Sequence, residues 1–404
     1  MYLATLAAVT ALLDSEEAAR RLGVKVSTLY AYVSRGLLTP EREVGGRRSL
    51  YALDDVERLA RRSRPGRADG PRLASVVTSV THLGEDGPAY RGVPATGLAT
   101  TATFEDVAEA LWASGPESWD PVTLGAAPPG GLAVADRLSW VAVMAGASDP
   151  LRSDLRPEAV ARAAARLIAT LVDAVPPPAA GARLVLDGGP APSGSIAQRL
   201  AGRLSGTASG DLTRAVNAAL VLLADHELAT STVAVRLAAS TRADLYAAVL
   251  AGLATISGPL HGAASSLAHA LLVRAEADGV ERALDETLRW QGLLPGFGQA
   301  LYEDGDPRAT VLLRCAGPLG TPARRDLVAA VVDLARRQGL PPPNVDLGLA
   351  AVTYTAGLAP DAGRTLFTLA RVAGWAAHFT EELGEPPLRF RARAAYSSGT
   401  GRPR

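Results

Sequence analysis

Apolar positions recur with helical spacing through most of this chain. From Val76 to about Gly399 nearly every stretch predicts a helix, amphipathic or wholly apolar, and the breaks between helices are rich in Gly and Pro. Val76 to Arg91 departs from this period. There, Ser79-Val-Thr-His-Leu-Gly-Glu-Asp-Gly-Pro-Ala-Tyr-Arg-Gly92 predicts a short hairpin. Val175-Pro-Pro-Pro through Gly194 predicts an irregular surface loop within the helical region.

The first 62 residues have a different grammar. Asp14 with Glu17 makes a capping box for a first helix reading Glu-Glu-Ala-Ala-Arg-Arg-Leu, and Gly23 ends that helix. A second helix runs from about Ser27 to Arg35 and is closed by Gly36. Leu37 to Tyr51 alternates around Gly45-Gly46 as a hairpin, and Asp54 or Asp55 opens a third helix through Leu59. Helix, tight turn, helix and wing make a winged helix-turn-helix. Ser63 to Ser75 reads as a linker, broken by Pro and Gly. Met1 to Leu13 is apolar and predicts a short helical extension. It lacks a basic leader, is too short to span a bilayer, and is followed at once by Asp14, Glu16 and Glu17.

Composition sharpens the fold class. Hydrophobic residues make up 48% of the 404, while aromatics are only 5%, which favours packed helices over a β-sandwich. The net charge is zero, so the whole chain is no nucleic-acid-binding polycation. Residues 1–70 carry 12 Lys+Arg against 9 Asp+Glu, a mild excess of about +3, and Lys25 is the only lysine. Cys315 is the only cysteine, which rules out a disulfide within the chain and fits a cytoplasmic location. No metal-ligand cluster, Walker loop or dinucleotide fingerprint is present in the sequence.

Two resemblances give the pattern chemical meaning. Ala18-Ala-Arg-Arg-Leu-Gly-Val-Lys-Val-Ser-Thr-Leu-Tyr-Ala-Tyr-Val-Ser-Arg-Gly-Leu-Leu38 resembles the DNA-binding head of MerR-type and excisionase-type proteins. That resemblance implies a second helix in the major groove. Lys25, Ser27, Thr28, Tyr30 and Arg35 would reach phosphates or base edges, with Arg47 and Arg48 on the wing. An accessory or dimer-contact module is the alternative. Further on, Asp225-His-Glu-Leu228, Ser257-Gly-Pro-Leu-His-Gly262, Pro295-Gly-Phe-Gly-Gln-Ala-Leu-Tyr-Glu-Asp-Gly-Asp-Pro-Arg308 and Pro343-Asn-Val-Asp346 resemble the motif set of citrate synthases.

The second resemblance covers about residues 76–400. It implies an all-α homodimer with a large domain of 76–257 and 347–404 and a small domain of about 258–346. It also implies condensation of acetyl-CoA with oxaloacetate and water. A propionyl-CoA preference, giving 2-methylcitrate, differs by one methylene and stays open. So does a DNA-binding regulator with a degenerate, metabolite-sensing core.

Such chemistry needs a base, a donor for the enol and a polarised carbonyl. The resemblance makes Asp346 the base, where an ordinary helix cap is the alternative. His261, ahead of a strong helix-forming run, suits the donor, because a helix N-terminus lowers an imidazole's pKa. His226, Arg308 and Arg371 would clamp the oxoacid carboxylates. Arg389, or Arg391, would complete a neighbouring subunit's site, although Phe390 breaks the family's Arg-Pro-Arg pattern. Arg314 is a candidate for holding CoA, a co-substrate and no resident cofactor.

Gln299 stands where the family carries His. A glutamine amide donates hydrogen bonds but supplies no acid at neutral pH. His378, on a similar helix face seven residues after Arg371, is a weak substitute. His82 and His269 read as structural, and Cys315 as core.

Overall fold

The computed structural model describes residues 12–15, 18–19, 26, 29, 32–33, 38, 40–42, 49–52 and 76–390, apart from 85, 117, 179–193, 300 and 303–304. Val76–Phe390 forms one compact unit, and Met1–Ser75 with Arg391–Arg404 forms the other.

In the N-terminal unit, β2 (Glu41–Arg42) pairs antiparallel with β3 (Ser49–Ala52), which is the expected wing hairpin. Its third strand, β1 (Leu12–Leu13), corrects the helical extension expected up to Leu13. Leu12 and Leu13 pair with Ala52 and Tyr51, so their backbone bonds go to the wing. Ala18, Ala19, Leu29, Leu38 and Tyr51 make a small core of their own. Lys25, Ser27, Thr28, Tyr30, Arg35, Arg47, Arg48 and the third helix at 54–59 lie outside the described residues.

The larger unit opens with the expected hairpin. β4 (Thr81–Gly84) and β5 (Gly87–Tyr90) pair antiparallel, and β6 (Val93–Pro94) adds to β5. Helices follow almost without interruption. They are α1 (Ala95–Thr101), α2 (Phe104–Trp112), α3 (Val134–Ser148), α4 (Pro157–Asp173), α5 (Ile196–Ser205), α6 (Gly210–Leu223), α7 (Thr230–Ser240), α8 (Leu245–Ile256), α9 (Pro259–Gly262), α10 (Ala264–Asp278), α11 (Val280–Gln291), α12 (Pro307–Ala316), α13 (Pro322–Arg337), α14 (Val345–Thr355) and α15 (Ala362–Leu383). No helix among the described residues is long and apolar enough to cross a membrane.

The unit is organised around α15, which buries 17 of its 22 residues. A helix buried on every side is a core element rather than a surface one. It packs against α7, α4, α6, α8 and α2. A second group, α10 to α14, packs mainly on itself. The boundary expected after Asp346 would cut the first turn of α14. That helix packs chiefly on α12 and α10, with a lesser contact to α15.

Gly374 lets α15 lie flush against the end of α6. Its N–H donates to the Ala224 carbonyl at 3.0 Å. A Cβ there would lie 2.5 Å from that oxygen and closer still to the Asp225 carboxylate. Backbone and a buried carboxylate cannot yield as a flexible side-chain tip would. Gly374→Ala is therefore expected to cost about 3 kcal/mol or more, the upper end for core overpacking. Chemical denaturation measures this, and a change within about 0.5 kcal/mol, the range of surface substitutions, would contradict the close approach.

Candidate active site

Five side chains expected at the site converge within the larger unit. His226 lies in the turn between α6 and α7. Asp225 closes that turn by accepting the Glu227 N–H on Oδ2 at 3.0 Å, with Glu227 in the left-handed region at φ 50°. His261 sits in α9, its Nε2 2.9 Å from the Ser231 hydroxyl at the start of α7. Its ring meets Phe367 of α15 edge-on at 6.1 Å.

Asp346 occupies the first turn of α14 but does not cap it. Asn344 is the cap, accepting the Asp346 N–H on its side-chain oxygen at 3.0 Å. The Asp346 carboxylate is thus left over from the helix's own needs. Arg308 stands in the first turn of α12, 2% exposed, and Asp306 grips it through Nε at 3.0 Å and Nη2 at 2.8 Å. Asp306 Oδ2 also accepts the Val345 N–H at 3.0 Å, which ties α12 to the start of α14.

Arg371 comes from the middle of α15 and is 2% exposed. Its Nε and Nη1 are buried without a hydrogen-bond partner, and its guanidinium lies over the Phe367 ring at 4.8 Å. A buried cation normally has an anionic partner. Arg371 therefore has donors open to an anion not present in the chain.

These groups share one electrostatic field. Burial pushes the Asp346 carboxyl up to about 6, with Asp306 adding and Arg308 opposing. Burial pushes His226 down to about 3, helped by Arg308 and Arg371. His261 is lowered first by burial and then by Arg371. Both imidazoles are thus uncharged at neutral pH, and either could offer an N–H to a developing oxyanion without a net charge of its own.

Gln299 lies in the loop between α11 and α12. That loop is stitched to the approach of α14. Gly298 N–H donates to Pro342 O at 2.8 Å, Asn344 N–H to Gly296 O at 2.9 Å, and Asn344 Nδ2 to Gly298 O at 2.8 Å. Gly296 is required here. It has φ 85°, and a Cβ would press on Leu347 at 2.8 Å. Gln299 is thereby held on the same scaffold as Asp346.

Two expected residues are placed elsewhere. Arg389 is engaged within its own chain, with Nε and Nη2 each donating to the buried Glu382 carboxylate at 2.6 Å. Phe390, where the family pattern has Pro, stacks against that guanidinium at 4.8 Å. Arg391 lies outside the described residues. Arg314 sits at the far end of α12 from Arg308. It lines a separate cavity of about 760 Å³ with Thr100, Arg214, Asn217 and Cys315, so it does not join the charged cluster.

His378 is no replacement for the histidine absent at 299, since both its ring nitrogens are engaged in the core. His269 bonds Thr353 at 2.9 Å. Among the described residues no group of three His, Cys, Asp or Glu is arranged to hold a metal ion.

Sequence reasoning did not single out Tyr90, Asp225, Tyr302 or Asp306. Tyr90 donates its hydroxyl to Val221 O at 2.9 Å and faces both arginines. Tyr302 places its hydroxyl 3.5 Å from His226 Nε2 and its ring under Arg308. All four stand inside or beside the quoted motifs, so adjacency was the available signal.

Comparison with known proteins gives the family of the chain. The family model described as "Citrate synthase, C-terminal domain" matches residues 122–393, and "MerR HTH family regulatory protein" matches residues 13–62. The chain belongs to the citrate synthase family, with a MerR-type helix-turn-helix region at its N-terminal side. "Citrate synthase 2" of Bacillus subtilis is 32% identical over 188 residues, 45% of this chain and 50% of that protein. "2-methylcitrate synthase 1" of Corynebacterium glutamicum is 31% identical over 199 residues, 47% of this chain and 51% of that protein. The chain thus spans about half the length of these curated relatives. The solved citrate synthase of Thermoplasma acidophilum, a ternary complex with carboxymethyl coenzyme A and oxaloacetate, has a TM-score of 0.63 at 24% identity. That likeness covers 82% of this chain and 96% of that one, and it speaks to the fold.

The Asp346 value carries a stability consequence. Its folded pKa lies above the ordinary carboxylate value, so the favourable contribution of the protonated form is full below about pH 4 and is lost as pH rises through about 6. Asp346→Asn should therefore be more stable than the parent by about 1–3 kcal/mol at pH 7.5 and equal to it at pH 4. Paired denaturation curves at the two pH values measure this. Equal stability at both would mean the carboxyl is not desolvated.

Proposed function

We propose that this protein condenses acetyl-CoA with oxaloacetate and water, giving citrate and CoA. The observation that carries this reading is Arg371, a buried guanidinium with open donors, beside a second buried arginine and two uncharged histidines. An oxodicarboxylate supplies the anion that such a site lacks. Arginine's fork suits a carboxylate, and His226 would add a neutral hydrogen-bonding group for the same substrate.

Asp346, ionised above about pH 6, takes a methyl proton from the thioester. If Ser231 donates its hydroxyl hydrogen to His261 Nε2, the ring proton lies on Nδ1, which can then donate to the enol oxygen. Gln299 would hydrogen-bond the acceptor but give it no proton, so water delivers that proton and turnover is slow. A homodimer with a shared site remains part of the proposal, with the partner's contribution coming from a residue beyond Arg389.

A second reading is favoured by the MerR match over residues 13–62. In it the same pocket senses the oxoacid or the acyl-CoA and the head binds DNA. The two readings separate experimentally. Operator affinity that falls steeply with salt and changes with oxaloacetate would support the regulator.

The deciding assay is release of CoA thiol from acetyl-CoA or propionyl-CoA with oxaloacetate, with Asp346→Asn as the blank. Turnover absent from the blank is expected, rising with pH through about 6 as Asp346 ionises. The thioester ratio names the product. Gln299→His is expected to raise turnover by about 100-fold, the lower end of general-acid contributions. No thiol release above the blank, from protein that still binds oxaloacetate, would sink the condensation reading.

A further inference from the structure

We propose that His378 is a positioning residue that holds the Asp225 carboxylate away from Arg371 and so keeps the clamp open. The kinetic part of this inference rests on the condensation reading, while its structural part does not.

Asp225 is fully buried and immediately precedes His226 in the chain. It lies within electrostatic reach of Arg371, and each stabilises the other's charged form, yet the two form no ion pair within 4 Å. A carboxylate released from its present partners could move toward that guanidinium and pair with it. Arg371 would then be neutralised by its own chain, and its open donors would be used up.

Oδ2 of Asp225 is held from two sides. The Glu227 N–H donates to it at 3.0 Å, and His378 Nε2 lies 3.2 Å away. The ring's tautomer follows from its other neighbour. Arg236 Nη1 lies 2.9 Å from His378 Nδ1, and a guanidinium only donates. Nδ1 must therefore accept, which leaves the ring proton on Nε2, aimed at Asp225.

Arg236 is in turn fixed from behind by Glu381 at 2.7 Å and Glu382 at 2.9 Å, and Glu382 also holds Arg389. Asp225, His378, Arg236 and Glu382 are all 0% exposed, so bulk solvent does not reach these bonds. The chain of contacts runs from the C-terminal segment to the turn that presents His226.

His378→Phe keeps the volume and removes both bonds. His378→Gln keeps an N–H near the Nε2 position. The expected result is a rise of about tenfold or more in the oxaloacetate KM for the Phe variant, as for the loss of a hydrogen bond to a charged group. The acyl-CoA KM should stay within about twofold, and the Gln variant should recover most of the oxaloacetate affinity. Equal effects on both KM values, or no rescue by Gln, would reduce His378 to a packing residue.

Nitrogen-15 NMR of histidine-labelled protein tests the tautomer directly, since the chain has five histidines and the Gln variant assigns the signal. A protonated Nε2 with a bare Nδ1 is expected, and an Nδ1–H tautomer or an imidazolium would overturn the proposal. If the Phe variant does not fold, the Gln variant and the NMR signal still decide. If the wild-type protein releases no CoA, the condensation reading fails on its own. Calorimetric binding of oxaloacetate then replaces KM in the same comparison.

Discussion

A cation with no partner, shut inside a helical bundle, is the constraint on which this structure turns. Arg371 can be held there only because the surroundings are arranged for its charge. Asp225 and Tyr90 face it, Phe367 lies under it, and the remaining donors are left open. The same charge reaches outward, because it helps hold His226 and His261 in their uncharged forms. One residue in the centre of α15 therefore adds to what burial already does at two others, one in the α6–α7 turn and one in α9. Arg308, by contrast, is satisfied by Asp306 within its own turn. The two arginines are unlike in what they still need.

Much of the architecture could be read from the sequence. Helical periodicity, Gly/Pro breaks and the hairpin ending at Tyr90-Arg91 each matched an observed element. The exceptions have physical causes. Leu12 and Leu13 read as helix because apolarity alone does not distinguish a helix from a strand, and pairing with Tyr51 and Ala52 decides it. The division at Asp346 was set by a motif, and it falls within the first turn of α14, a helix whose main packing partners are α12 and α10.

The site was legible where a motif named the residue and opaque where the third dimension made the partner. Nothing local reveals that Asn344 rather than Asp346 caps α14, since both are good capping types two residues apart. Nor does spacing reveal that Arg389 turns back onto Glu382, because a C-terminal arginine has the same signature whether it reaches inward or outward. His378 was visible only as a histidine on the Arg371 face. Its engagement with Asp225 and Arg236 depends on two other helices.

The flush contact at Gly374 has a consequence for anyone remodelling this scaffold. Helix α15 is both the keel of the bundle and the rail on which Arg371 and His378 ride. Filling a glycine with alanine is a common way to raise heat resistance in helices. At this position it would push the keel off the Ala224–Asp225 turn. Screens for sturdier variants should spare α15 and draw their changes from the solvent side of α11 and α13, where no site residue is carried.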